Sequence, residues 1–151
     1  CKTASLIANS SKAVGVLSNV DQESLNSLYF FGRQLGLAFQ VVDDILDFTG
    51  NDEQLGKPAA SDLQSGYLTA PVFYALEENP RLSELINGKF SQKDDLDQAL
   101  SLVRDSSAIK KSRELAEQFA SESKDSISWL PDSPSKKALL ELPEFVISRL
   151  Y

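Results

Sequence analysis

The chain has 151 residues, 42% of them apolar, with 22 Asp and Glu against 15 Lys and Arg, one Cys, and neither His nor Met. Without His there is no Ser-His-Asp or Cys-His catalytic group, no imidazole proton shuttle and no His-bearing zinc site, while the lone Cys1 excludes a disulfide framework and a thiolate cluster. A metal in this chain is held by oxygen, which favours a hard ion such as magnesium, and the net charge of −7 argues against a nucleic-acid surface, which needs clustered Lys and Arg.

The length suits one domain or a large piece of one. The missing Met, and an opening Cys1-Lys2-Thr3-Ala4 that reads as helix interior, predict that the chain is part of a longer protein. No stretch reaches the roughly 20 consecutive apolar residues of a membrane span. Helical signals dominate, with seven Gly and no sustained apolar/polar alternation, so the expected class is all-α. A first helix covers roughly Lys2 to Leu17. Asp21, followed by Glu23 and Ser24, caps a second that runs to about Thr49. Gly32 and Gly36 lie inside it, where each costs about 1 kcal/mol relative to Ala, a cost that points to close packing or a ligand. Gly50 to Ala60 reads as a loop. Asp62 to Glu78 is expected to be helical, with Pro71 kinking it or marking its true start. Asn79-Pro80 gives a cap and a first-turn proline for a short helix to Ile86, and Ser91 caps Gln92 to Arg104. Ser106 or Ser107 caps a long helix to about Leu130, and Ser133-Pro134 opens a last one toward Leu150.

The segment from Gly36 to Phe48 carries the chemistry. At about 100° per residue, Gly36, Gln40, Asp43, Asp44 and Asp47 fall on one narrow arc, and every other position is apolar. This is a polar stripe on an apolar cylinder, the inverse of an ordinary surface helix, and it predicts a helix buried on most sides with its carboxylates facing an internal cavity. Carboxylates about 5 Å apart repel by roughly 3 kcal/mol per pair at an effective dielectric near 20. No Lys or Arg lies between Arg33 and Lys57 to offset this. Protonation, a cation from elsewhere or a metal must do so, and a cluster of oxygen ligands favours the metal. Because magnesium commonly shares its coordination with phosphate, the face also implies a phosphorylated ligand. The competing reading is a solvated acidic face. Lys57, in a Gly-Lys-Pro loop, and Lys2, beside the Thr3 hydroxyl, are the candidate anion contacts, although each taken alone reads more readily as a solvated surface lysine.

The run Gly36-Leu37-Ala38-Phe39-Gln40-Val41-Val42-Asp43-Asp44-Ile45-Leu46-Asp47 resembles the second aspartate-rich motif of the trans-isoprenyl diphosphate synthases. Lys2-Thr3-Ala4 resembles the Lys-Thr motif upstream of it. Leu55-Gly56-Lys57-Pro58, through Asp62-Leu63 to Gly66-Tyr67-Leu68-Thr69-Ala70-Pro71, resembles the block that follows. With the closing Leu142 to Tyr151, the chain is most similar to long-chain, solanesyl-type polyprenyl synthases of cyanobacteria and plastids.

The resemblance implies the C-terminal part of an isoprenoid-synthase helical bundle, residues 1–151 being one portion of a single synthase domain. It implies a magnesium-dependent prenyltransferase that joins isopentenyl diphosphate to an allylic prenyl diphosphate, giving a longer all-trans polyprenyl diphosphate for isoprenoid or quinone side chains. Asp43, Asp44 and Asp47 are then the magnesium ligands, Lys2 and Lys57 the diphosphate contacts, and Thr3 and Gln40 the oxygen dipoles beside the allylic cation. It further implies a homodimer for the full-length protein and a soluble location, cytoplasmic or in the plastid stroma. Tyr67 departs from the pattern, since many relatives have Lys there. The family's first aspartate-rich motif, which lies upstream, is not in this sequence, so the chain alone is expected to be inactive. Two alternatives are a noncatalytic partner or regulatory subunit of a complete synthase, and a helical interaction domain with no ligand.

Asp94-Asp95-Leu96-Asp97 is spaced one residue too short for the first motif and is read as acidic residues complementing a helix dipole. Phe119 and Trp129 are read as core or packing residues. Between Gly36 and Ser65 six acidic residues face the single Lys57, so −5 of the net −7 lies in this segment.

Overall fold

The computed structural model describes residues 2–50 and 61–151. Among them are eight helices and no strand: α1 (Lys2–Leu17), α2 (Gln22–Thr49), α3 (Ser61–Gln64), α4 (Ala70–Glu78), α5 (Pro80–Asn87), α6 (Asp95–Arg104), α7 (Ala108–Ser126) and α8 (Pro134–Ser148). The all-α expectation holds. The chain divides into two compact units, one formed by Cys1–Val42 with Leu115–Tyr151 and the other by Asp43–Glu114.

In the first unit α1 lies against α2 along a seam of small residues. Ala4, Ala8 and Gly15 are the buried positions of α1. A side chain at Gly32 would meet Ile7 O at 2.6 Å, and one at Gly36 would meet Ala4 Cα at 2.6 Å. The glycines suspected from the sequence are thus there for backbone approach, which offsets their helix cost. The predicted Asp21 cap is present: its Oδ1 accepts from the Ser24 N–H at 2.9 Å and its Oδ2 from the Ser24 hydroxyl at 3.0 Å. Those bonds to the ionised form hold the Asp21 carboxyl below its ordinary value of 3.8. α2 is joined to α7 by the buried Gln34, whose amide donates to Glu122, and by the buried Ser123 hydroxyl, which donates to Phe31 O at 3.0 Å. α8 starts as expected, with the Ser133 hydroxyl accepting from Lys136 N–H at 3.1 Å, and it buries Pro143 and Val146.

The second unit is organised by a core of Phe48, Leu63, Val72, Ala75, Leu82, Leu85, Ala99, Val103 and Ala108. Several boundaries differ from expectation. The predicted Asp62 to Glu78 helix is two helices separated at Gly66, whose φ of +83° ends α3, and Pro71 marks the true start of α4. Asn79 forms no side-chain cap on α5; its amide turns back to Ala75 O at 3.5 Å. Ser91 is no cap either, because α6 begins at Asp95. Lys89 and Phe90 take left-handed φ values of 53° and 51°, and Asp95 Oδ2 then accepts from Gln92 N–H at 2.9 Å. The segment closes as a turn on its own aspartate, a local bond that competes with helix. Of the two serines offered for α7, Ser106 accepts from Ala108 N–H at 3.1 Å, whereas Ser107 engages Glu78. In the first unit α7 stops at Ser126, short of Leu130, and gives way to four-residue turns in which each N–H bonds the carbonyl three residues back.

Candidate active site

The second half of α2 bears out the inverted pattern. Ala38, Val41, Val42, Ile45 and Phe48 are buried, and so are two carboxylates among them, Asp44 at 8% exposure and Asp47 at 1%. Asp43 is half-buried. A solvated acidic face would leave all three open to water, so burial argues against that reading for Asp44 and Asp47. A carboxylate withdrawn from water needs compensation, and one contribution is the Asp62 N–H, 3.4 Å from Asp47 Oδ2.

Within the first unit, the close approach of Gly36 to Ala4 places Thr3 opposite Gln40. The Thr3 hydroxyl donates to Gln40 Oε1 at 3.4 Å in a part-buried setting. The structure therefore brings together the two residues assigned to neutral polar roles. Lys2 is exposed. Lys57, with Leu55, Gly56 and Pro58 of the same block, lies outside the described residues. Tyr67 is 67% exposed.

Among the described residues no group of three Asp, Glu or Cys side chains forms a ready-made ion cage. The donors on α2 are all oxygen, which suits a hard divalent ion that takes one or two carboxylates and keeps its waters. Asp94, Asp95 and Asp97 sit at the start of α6, where Asp95 bonds its own turn, so the dipole reading stands. Phe119 is half-buried, but Trp129 is 45% exposed beyond the end of α7 and is not a core residue.

Two arginines of structural consequence were not found from the sequence. Arg104 Nε donates to Phe48 O at 2.7 Å, at the C-terminal end of α2. Arg149 lies over the Phe39 ring with its guanidinium carbon 4.8 Å from the centroid. Neither pairing leaves a periodic trace, because each joins residues distant in sequence.

A family model described as polyprenyl synthetase matches residues 1–103. The chain belongs to that family. A prenyl transferase of Synechocystis sp. is 52% identical over 150 residues, covering 99% of this chain and 46% of the relative. The chloroplastic solanesyl diphosphate synthase 2 of Arabidopsis thaliana is 46% identical over 149 residues, covering 99% of this chain and 36% of the relative. The crystal structure of a polyprenyl synthase from Caulobacter crescentus, complexed with calcium and isoprenyl diphosphate, superposes with a TM-score of 0.85 at 34% identity, covering 97% of this chain and 46% of that one. The chain thus spans less than half the length of these polyprenyl synthetase relatives, and its helical fold is theirs.

Proposed function

We propose that the chain supplies part of the active site of a prenyltransferase that extends an allylic prenyl diphosphate with isopentenyl diphosphate. The observation that carries this reading is the buried pair Asp44 and Asp47 on the polar stripe of the otherwise apolar second half of α2, within the segment matched to the polyprenyl synthetase family. Asp43, Asp44 and Asp47 are the residues that would hold magnesium, which when bound supplies a Lewis acid toward the diphosphate.

The residues of the chain have separable tasks. Lys2 and Lys57 oppose the negative charge that grows on the diphosphate as its bond to the allylic carbon breaks. Thr3 and Gln40 offer hydroxyl and amide oxygens toward the allylic cation, favouring positive charge without capturing it covalently. The hydrogen bond between them restrains both side chains, so their dipoles need little reorganisation during the reaction. A new carbon–carbon bond then forms from the double bond of isopentenyl diphosphate, and one proton is lost. The released diphosphate is an adequate base, which accommodates a site without His.

The chloroplastic relative supports placement in a plastid stroma or cyanobacterial cytoplasm, and no helix among the described residues is long and apolar enough to cross a membrane. Family kinship supports a homodimer for the full-length protein.

Calorimetric titration of farnesyl diphosphate into the chain, with and without magnesium, tests the reading. Binding that requires magnesium and weakens at least tenfold in Asp43→Ala is expected. Equal binding by the variant, or binding indifferent to magnesium, contradicts it.

A further inference from the structure

We infer that Arg149 is a positioning residue for Gln40, acting through Phe39. Three observations within the first unit meet at this point. The Arg149 guanidinium covers the Phe39 ring at 4.8 Å, within the range of a cation–π contact. Phe39 is the residue immediately before Gln40 on α2. Gln40 in turn accepts the Thr3 hydroxyl across the α1–α2 seam at 3.4 Å.

Arg149 is itself held in place. It follows the last residue of α8 and its backbone N–H reaches Ile147 O. On either side of it, Val146 and Leu150 are buried at 6% and 8% exposure. One residue further on, the Tyr151 hydroxyl donates to Glu117 on α7 at 3.3 Å. A C-terminal turn anchored on both sides presents a planar cation to an aromatic face, and the planar guanidinium suits this better than a lysine ammonium. With Phe39 pinned, the adjoining turn of α2 in the first unit is restrained from rotating Gln40 away from Thr3 on α1. A close backbone seam at Gly36 sets the distance between the helices, and the Arg149–Phe39 stack sets the rotation of α2 at Gln40.

The functional weight of this role rests on the prenyltransferase reading; the positional claim can be measured without it. The parent chain, Arg149→Lys, Arg149→Met and Phe39→Leu are compared by NMR, following the Gln40 side-chain amide and the Thr3 methyl. The Val72 methyls of the second unit report that the fold is kept. Arg149→Met and Phe39→Leu are expected to move both the Gln40 and Thr3 signals beyond their linewidths while Val72 stays in place, with Arg149→Lys moving them less. Unmoved Gln40 and Thr3 signals in any folded Arg149→Met or Phe39→Leu sample overturn the assignment. Should Arg149→Met not fold, Phe39→Leu and Arg149→Lys decide by the same criterion. Absence of diphosphate binding by the parent counts against the prenyltransferase reading alone and leaves these signals unaffected.

Discussion

Replacing Gly36 by Ala sets two opposing effects against each other. Helix propensity favours Ala by about 1 kcal/mol in a helix interior. Against it, the new Cβ would lie 2.6 Å from Ala4 Cα and 3.2 Å from both Ala4 N and Ala4 Cβ. The first two are backbone atoms, so no rotamer change relieves the contact and α1 must move away from α2. Forced movement of this kind costs about 1–3 kcal/mol, and contact with backbone places it toward the upper end. The expected net effect is a loss of about 1–2 kcal/mol. Gly15→Ala is the internal control. Its Cβ also meets atoms at 2.8 Å, but these are the side-chain tips Leu25 Cδ2 and Leu28 Cδ1, which can turn aside, so its stability should fall by no more than about 0.5 kcal/mol. Urea unfolding followed by circular dichroism separates the two. The local consequence is loss of the Thr3–Gln40 hydrogen bond, already long at 3.4 Å, which a shift of a few tenths of an ångström breaks. A Gly36→Ala variant as stable as the parent, or more stable, would refute the packing explanation, since propensity alone would then account for the result.

Glu78 is held down to about 2 from an ordinary 4.5 by the Ser107 hydroxyl, the Ser107 N–H and Lys111, in that order. A depressed carboxyl contributes stability that is present above about pH 4.5 and is lost as pH falls toward 2. Glu78→Gln should therefore lower the Tm at pH 6, with the difference from the parent shrinking through that window; a constant difference between pH 6 and pH 2.5 contradicts the assignment. Arg104→Gln removes the cation from the C-terminal end of α2, and should cost about 1 kcal/mol and speed hydrogen exchange in the last turn of that helix, whereas unchanged exchange there shows that the bond to Phe48 O is dispensable. The purified chain, given farnesyl diphosphate, labelled isopentenyl diphosphate and magnesium, should make no longer product; any labelled polyprenyl product contradicts this.

What could be read before the structure was what repeats locally. The limits of α1 and α2 follow from apolar periodicity and the Asp21 cap, and α8 follows from Ser133-Pro134. The polar stripe from Gly36 to Asp47 was legible because a helix converts spacings of 4, 3, 1 and 3 into one face. Errors fell where a short polar side chain has several backbone partners within reach. Asn79 turned back on α4, and Asp95 closed a turn where Ser91 had been expected to cap. Trp129 is not a core residue because α7 ends at Ser126, which leaves it in a turn instead of on a helix face. Arg104 and Arg149 were invisible because their partners, Phe48 and Phe39, are met only once the helices have packed.

The central claim is that the aspartate face of α2 binds a divalent ion together with a prenyl diphosphate. Manganese substituted for magnesium makes this directly visible, because its unpaired electrons broaden the NMR signals of nuclei close to it. With farnesyl diphosphate present, substoichiometric manganese should broaden the backbone amides of Asp43, Asp44 and Asp47 first, leave those of Asp95 and Asp97 on α6 sharp, and lose this preference in Asp43→Ala. Broadening spread evenly over the acidic residues, or unchanged by the substitution, would contradict it.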